Sequence, residues 1–496
     1  MLEALAAKTE INIASFSLII PELILMAGIC ILLISSLIVK NKSQQFYFLL
    51  SLVVLLAAML FVIDNISYNQ QSLKLFNGML QADSFSNLFK LFIVIAALLS
   101  LLMFWIERKN ISKTAEQLSL LLSMSLGGML LLSSANFIML IISIELLSIS
   151  SYLMVGFGFS KKSAVGSLKY LLFGAAATAV MIYGVSWIYG MSGTLEFGSE
   201  IFIQNMMIQS PYLYFVVGCI FLAGLLFKIA AVPMHLWAPD VYASSSSAVL
   251  ALLASLPKIA GLGILTKIYY ALHLFGNSPV NWQIIFILIA TITIGAANLA
   301  ALRQRDAKRL MAWSSVAQSG FMLIGILSNS SEGLEAMSFY IGIYLLANFL
   351  VMGLIQYQEN QSGDTQILAF SGLGRNQFFI AIALTLGLIA LMGLPPTAGF
   401  TAKLLIFTQL YTSWQLVPGS AKLFLLIFGL LNTVPALYYY LRIPYMMFFK
   451  EKSTQITSPL PIWLKIYFLL MLFLLLGLFL QPEFLMAWFN RVNFAL

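Results

Sequence analysis

Of the 26 lysines and arginines in this chain of 496 residues, six stand inside long apolar runs: Lys90, Lys169, Lys228, Lys258, Lys267 and Lys403. Among the 18 acids, Glu145 alone is clearly mid-run. It lies beyond Asn136 by about 14 Å of helix at 1.5 Å per residue. Lys228 and Lys403 flank Pro233 and Pro395–Pro396, and Lys258 directly follows Pro257. A lysine withdrawn from water holds its proton less tightly, and a neighbouring carboxylate reverses that weakening. Water-linked lysines under the control of one glutamate are therefore a proton relay with a switch. Lys90, near the start of its run, is expected instead to snorkel to an interface along its butyl stem. Lys267 either snorkels or supports the relay, and Lys169 sits early in its run. Lys258 has no short route to water, and Lys228 and Lys403 flank breaks whose freed backbone groups need a polar cavity. For these three and Glu145, a central charge costs about 2.5–3.5 kcal/mol even on the lenient insertion scale. A structural role for all of them would require a carboxylate for each lysine.

The elements that must hold these charges are membrane helices. Hydrophobic residues make up 61% of the chain and charged residues 9%, too little charge to cover a soluble fold and too much apolar content for disorder. A bilayer core needs about 20 apolar residues per helix. Runs of that kind number fourteen in our reading of the sequence, near 16–39, 46–63, 84–106, 118–133, 136–157, 166–190, 211–237, 247–275, 283–302, 308–328, 335–357, 378–411, 420–449 and 463–489. They lack strand alternation, so an all-α polytopic membrane protein is expected. Pro233, Pro257, Pro395–Pro396 and Pro435 predict breaks or kinks in the seventh, eighth, twelfth and thirteenth spans. Sixteen basic residues fall in odd-numbered loops, against four (Lys8, Lys74, Lys422 and Arg491) on the side of the termini. The positive-inside rule then puts both termini away from the cytoplasm. The N-terminus lacks the pattern of a cleaved signal.

Other chemistries find little support. The net charge of +8 is scattered through short loops and forms no patch that would track a nucleic acid. Cys30 and Cys219 are isolated in apolar runs, which disfavours a disulfide or thiolate metal site. His235 and Asp240, around Pro239, share no helical face and are expected to shape a bend. Gly156 and Gly158 lack phosphate-loop spacing. A solute transporter would need a roomier polar pocket than these string-like polar residues provide.

The chain also repeats itself. Phe227-Lys228 to Val232-Pro233 and Gly393-Leu394-Pro395-Pro396 to Lys403 are each a Gly/Pro-interrupted span with a lysine, five spans apart. An odd offset inverts one unit relative to the other, and paired broken helices in inverted repeats point to an ion pathway near the midplane. We expect one integral membrane domain over 1–496, with N-terminal helices in 16–106, inverted five-helix repeats over 118–275 (helices 4–8) and 283–449 (helices 9–13), and a last helix at 463–489.

Ile144-Glu145-Leu146-Leu147-Ser148, Leu168-Lys169-Tyr170 to Gly174, Phe227-Lys228 through Val232-Pro233-Met234-His235-Leu236-Trp237-Ala238-Pro239-Asp240, and Lys308-Arg309-Leu310 with Trp313-Ser314-Ser315 resemble the antiporter-like membrane subunits of respiratory complex I, the NADH-quinone oxidoreductase. The resemblance covers nearly the whole chain and is strongest to the subunit N branch. The L branch carries an added lateral helix for which there is no room, and the M branch usually has glutamate where Lys403 stands. It implies that Glu145 is the switching glutamate, Lys228 the pump lysine it pairs with, Lys169 a modulating lysine, Lys258 the connecting lysine and Lys403 the distal one. Lys267, His235 and Gln318 are candidates for relay or support. Gln318 stands where many relatives have a histidine, so that step must use water. Ala243-Ser244-Ser245-Ser246-Ser247 replaces a Gly- and Pro-containing stretch. The resemblance further implies a proton-translocating subunit of a bacterial inner-membrane enzyme, with no redox cofactor on this chain. FMN, iron–sulfur clusters and quinone would belong to partner subunits, beside a neighbouring antiporter-like subunit, small membrane subunits and lipid. The alternatives are a large subunit of a multisubunit cation/proton antiporter and a passive scaffold; the filled lysine positions argue against the scaffold.

Overall fold

The computed structural model describes residues 15–38, 43–68, 72–107, 113–273, 280–451, 460–490, 492 and 494. The two termini, whose sidedness the loop charges predict, lie outside the described residues. With no water in a bilayer to satisfy backbone amides, apolar runs of this length close their hydrogen bonds within helices. Among the described residues, thirteen helices are long and apolar enough to cross a membrane. A shorter apolar helix, Phe378–Met392, is followed after a break by Ala398–Leu416. The all-α polytopic architecture stands, with one addition that the sequence did not announce. Leu73–Leu75 and Leu80–Ala82 form a small antiparallel hairpin whose turn carries Phe76, Asn77 and Gly78 at positive φ.

The prolines act unequally. At the first expected break the helix Pro211–Ile229 stops at Ala230, whose φ is 53, and a turn leads to the short helix Ala238–Ser244. At the second, Phe378–Met392 stops at Gly393, with φ of 82. Pro435 falls in the first turn of Thr433–Phe449, just after the helix Ser420–Leu431 ends. Pro257, by contrast, lies inside the continuous helix Ser247–His273. Two helices reach 32 residues, Lys161–Ser192 and Ser331–Ser362. Each starts on a serine whose side chain accepts an amide of the first turn, and each ends on a left-handed glycine, Gly193 or Gly363.

The chain divides into two compact units. Unit 1 comprises Met1–Ile229, Leu256–Trp282 and Val492–Leu496; unit 2 comprises Ala230–Ser255 and Gln283–Arg491. In unit 1, Phe137–Gly156 packs against Thr114–Ser133 and Lys161–Ser192, and the latter packs against Pro211–Ile229. In unit 2, Ser331–Ser362 is the hub, packed by Ala307–Leu327, Phe378–Met392 and Ala398–Leu416.

Candidate proton-relay site

In unit 1, Glu145, Ser148 and Tyr152 follow one another at spacings of three and four, so they line one stripe of the helix Phe137–Gly156. Asn136 fixes the start of that helix by accepting the amide of Ile138 at 2.8 Å. Lys228 is in the last turn of Pro211–Ile229 and is buried. Its ammonium does not rest on the carboxylate. Nζ donates to Ser148 Oγ at 2.5 Å, and Ser148 Oγ donates in turn to the Ile144 carbonyl at 2.5 Å. Among the described residues no ion pair joins Glu145 to Lys228. Glu145 is partly buried, one turn before Ser148 on the same helix. The lysine expected to pair with Glu145 instead meets a serine hydroxyl one helical turn from that glutamate. The Tyr152 and Phe227 rings lie 5.8 and 5.7 Å from the ammonium.

Lys258 is buried on Ser247–His273, in the part of that helix belonging to unit 1. One turn on, a Cβ at Gly261 would stand 2.8 Å from Ile229 Cγ2 and 3.2 Å from Lys228 Cβ. The absence of that side chain lets the Lys258 helix approach the end of the Lys228 helix closely. Lys169 is placed differently. It is exposed on the surface of the chain, in the third turn of Lys161–Ser192.

In unit 2, Lys403 is buried on Ala398–Leu416 and reaches back across the break, donating to the Met392 carbonyl at 2.6 Å with the Phe321 ring 4.6 Å away. A helix that ends inside the membrane leaves four carbonyls without intrahelical donors. Here all four have partners. Ile389 accepts from the amides of Gly393 and Leu394, Ala390 from that of Gly393, Leu391 from Gln318 Nε2 at 2.9 Å, and Met392 from Lys403. Gln318 also donates to Tyr440 Oη at 3.2 Å and accepts from Tyr340 Oη, while Ser314 shares a hydrogen bond with Tyr440. A cavity about the size of one water is lined by Gln318, Tyr340, Tyr344, Gly399 and Ala402 among others.

Several residues fall elsewhere than the sequence predicts. Lys90 does not snorkel: it is buried and ion-paired with Glu22 at 2.7 Å, because helix packing closes over a position that looks terminal in one dimension. Lys267 is buried on Asp83 at 2.7 Å. His235 is buried beside Trp313, ring centroids 5.7 Å apart, while Asp240 lies 3.6 Å from Arg309. Lys308, counted among loop charges, is buried at the start of Ala307–Leu327 and donates to Glu359 at 2.5 Å and to the Ser245 carbonyl at 3.1 Å. Ser247 completes that knot, donating to Glu359 at 2.8 Å, so the serine-rich departure forms a polar joint. Glu22, Asp83, Ser148, Tyr340 and Tyr440 were missed. Ser148, three residues after Glu145, had a signal in its helical spacing; the others are brought in by packing.

A family model described as NADH:quinone oxidoreductase/Mrp antiporter, TM, matches residues 134–431. Another, described as NAD(P)H-quinone oxidoreductase subunit 2 N-terminal, matches residues 6–104. NAD(P)H-quinone oxidoreductase subunit 2 of Gloeobacter violaceus is 37% identical over 386 residues, covering 77% of this chain and 73% of that protein. NADH-quinone oxidoreductase subunit N of Chlorobium chlorochromatii is 32% identical over 458 residues, 90% of this chain and 87% of that one. A chain of respiratory complex I from Thermus thermophilus with bound aureothin superposes with a TM-score of 0.80 at 25% identity, covering 95% of this chain and 100% of the other. The chain belongs to the NADH:quinone oxidoreductase/Mrp antiporter transmembrane family, in its subunit N and subunit 2 branch.

Proposed function

We propose that this chain is a proton-translocating membrane subunit of an NADH-quinone oxidoreductase, coupling redox chemistry in partner subunits to proton movement. The observation that carries the reading is the buried Lys228 ammonium on Ser148, one turn from Glu145. Removing the influence of a carboxylate from a buried ammonium weakens its hold on the proton, and restoring it strengthens that hold. A rotating hydroxyl at the contact can accept from the ammonium in one state and donate to the neutral amine in the other. Lys258 then continues the relay as the connecting lysine and Lys403 is its distal lysine, with Gln318 ordering water rather than titrating. The water-sized cavity beside Gln318 and Ala402 supports that role. Lys169, on the exposed surface, modulates Glu145 in this reading.

The inverted repeats over 118–275 and 283–449 belong to the same proposal. Two likenesses support them: the left-handed residues Ala230 and Gly393 each precede the last proline of their break by three positions, and the two 32-residue helices are capped alike. FMN, iron–sulfur clusters and quinone belong to partner subunits, alongside a neighbouring antiporter-like subunit, small membrane subunits and lipid. The assembly sits in a bacterial inner membrane with both termini of this chain away from the cytoplasm. A cation/proton antiporter subunit is the second reading, favoured by a family description that includes Mrp antiporters. Co-purification with flavin- and iron–sulfur-bearing subunits separates the two. The function is tested by Lys258→Met, which keeps an apolar stem and removes the titrating group. Quinone reductase activity and proton pumping are compared in vesicles carrying the assembled complex, with loss of pumping expected. Loss of the complex itself would make Lys258 structural.

A further inference from the structure

Apart from the relay, unit 1 buries a second group of charges. Glu22 and Lys90 pair at 2.7 Å with both side chains 2% exposed, and Asp83 and Lys267 pair at 2.7 Å, also buried. Asp83 and Lys90, seven residues apart at the start of one helix, bring the two pairs to the same helix face. All four residues lie at one end of the unit. Glu22 is in the first turn of Ile20–Ile38, Asp83 immediately precedes Ser84–Glu107 with Lys90 two turns in, and Lys267 is in the last two turns of Ser247–His273. This end faces away from the lysine- and arginine-rich loops, the release side by the positive-inside rule.

The two carboxylates are held differently. Asp83 is pinned by three donors: the Ser86 amide at 2.6 Å, Ser86 Oγ at 3.0 Å and Lys267 Nζ at 2.7 Å. Glu22 meets Lys90 through Oε1, and its Oε2 has no donor among the described residues. Two further buried polar atoms flank the cluster without a partner among the described residues. Asn87 Nδ2 lies between Asp83 and Lys90 on one helix face, and Tyr270 Oη is one turn beyond Lys267. Buried polar atoms left open in this way mark places for water. The packed helices Gln44–Tyr68 and Thr114–Ser133 add only the exposed Asp64 and, at the opposite end, Glu116 to the charges around the group. A clamp alone gains little from burying two ion pairs, since apolar residues of the same size would hold the helices as well.

We propose that Glu22, Lys90, Asp83 and Lys267 form a proton-release site, separate from the relay residues, that passes protons through water to the face away from the basic loops. The inference rests on the relay reading above. On loading, an O–H bond of a protonated water breaks and one forms at Glu22 Oε2; on release the reverse occurs, and no electrons move. Loading leaves the ammonium groups of Lys90 and Lys267 facing the single negative charge of Asp83, and their repulsion drives the proton off.

The test uses the whole complex in vesicles and reads protons translocated per quinone reduced. Glu22→Gln, Glu22→Asp and the double variant Glu22→Gln/Lys90→Met are compared with Lys258→Met. The double variant leaves neither partner as an unpaired buried charge, so it is expected to assemble and yet lose translocation as fully as Lys258→Met. Glu22→Asp is expected to retain part of it. A double variant that pumps like the wild type, or that does not assemble, overturns the release site and makes the quartet a clamp. Normal pumping by Lys258→Met in the same vesicles overturns the relay instead.

Discussion

The two broken helices carry one lysine each and use it in opposite ways. Lys228 precedes its break by two residues and gives its ammonium to a serine hydroxyl on a neighbouring helix. Lys403 follows its break and gives its ammonium to a backbone carbonyl that the break itself exposed. A hydroxyl can turn and exchange donor for acceptor, whereas a carbonyl only accepts. Lys228, with Glu145 a turn from its partner, is thus in a setting that can change. Lys403 is also part of the scaffold that lets a helix end inside a membrane.

The largest effect expected from this difference is at Gly399. A Cβ there would stand 1.8 Å from the Ala390 carbonyl oxygen, backbone against backbone, so Gly399→Ala should abolish accumulation of the assembled complex on native gels. Next come the two lysines. Lys403→Met orphans the Met392 carbonyl and should destabilise the chain by about 1–3 kcal/mol. Lys228→Met leaves Ser148 on the Ile144 carbonyl and should cost less than that, although both variants lose pumping. Thermal unfolding of the purified complex separates the two cases, and equal losses of stability would erase the contrast. Gln318→Leu should be milder than Gly399→Ala, lowering thermal stability through the Leu391 carbonyl and the Tyr340 and Tyr440 hydroxyls it leaves open. Gln318→His, which can keep a donor on Leu391, should restore most of it. Ser148→Ala should give a partial fall in coupled turnover and, because it takes the hydroxyl acceptor from the buried Lys228 ammonium, a stability loss of about 1–3 kcal/mol.

Much of this was legible along the chain. Lysines in apolar runs are conspicuous, and run length with the prolines at 233 and 395–396 marked both breaks. What could not be read were partners supplied by packing. Lys90 looked terminal because one-dimensional position says nothing about a helix folding over it, and Glu22, its partner, lies 68 residues earlier. Asp83 stands just outside the run near 84–106, and nothing in its spacing ties it to Lys267, 184 residues later. Gln318 read as the loss of a titrating group, whereas its gain is a carbonyl partner 73 residues away. Pro257 predicted a break or a kink, and its helix runs on without a break.

The central claim is that Glu145 governs the proton on Lys228 from one turn beyond the serine that holds it. The direct measurement is proton pumping per quinone reduced in vesicles containing the assembled complex, for wild type, Glu145→Asp, Glu145→Gln, Lys228→Ala and the double variant Glu145→Gln/Lys228→Ala. Glutamine keeps the shape and removes the charge, whereas aspartate keeps the charge on a shorter arm. We expect pumping to fall in the order wild type, Asp, Gln, with Lys228→Ala as poor as Gln. The double variant should be no worse than the worse single one, because residues acting as a unit are non-additive. If Glu145→Gln pumps as well as the wild type, the glutamate is not the switch and its place beside Lys228 is structural.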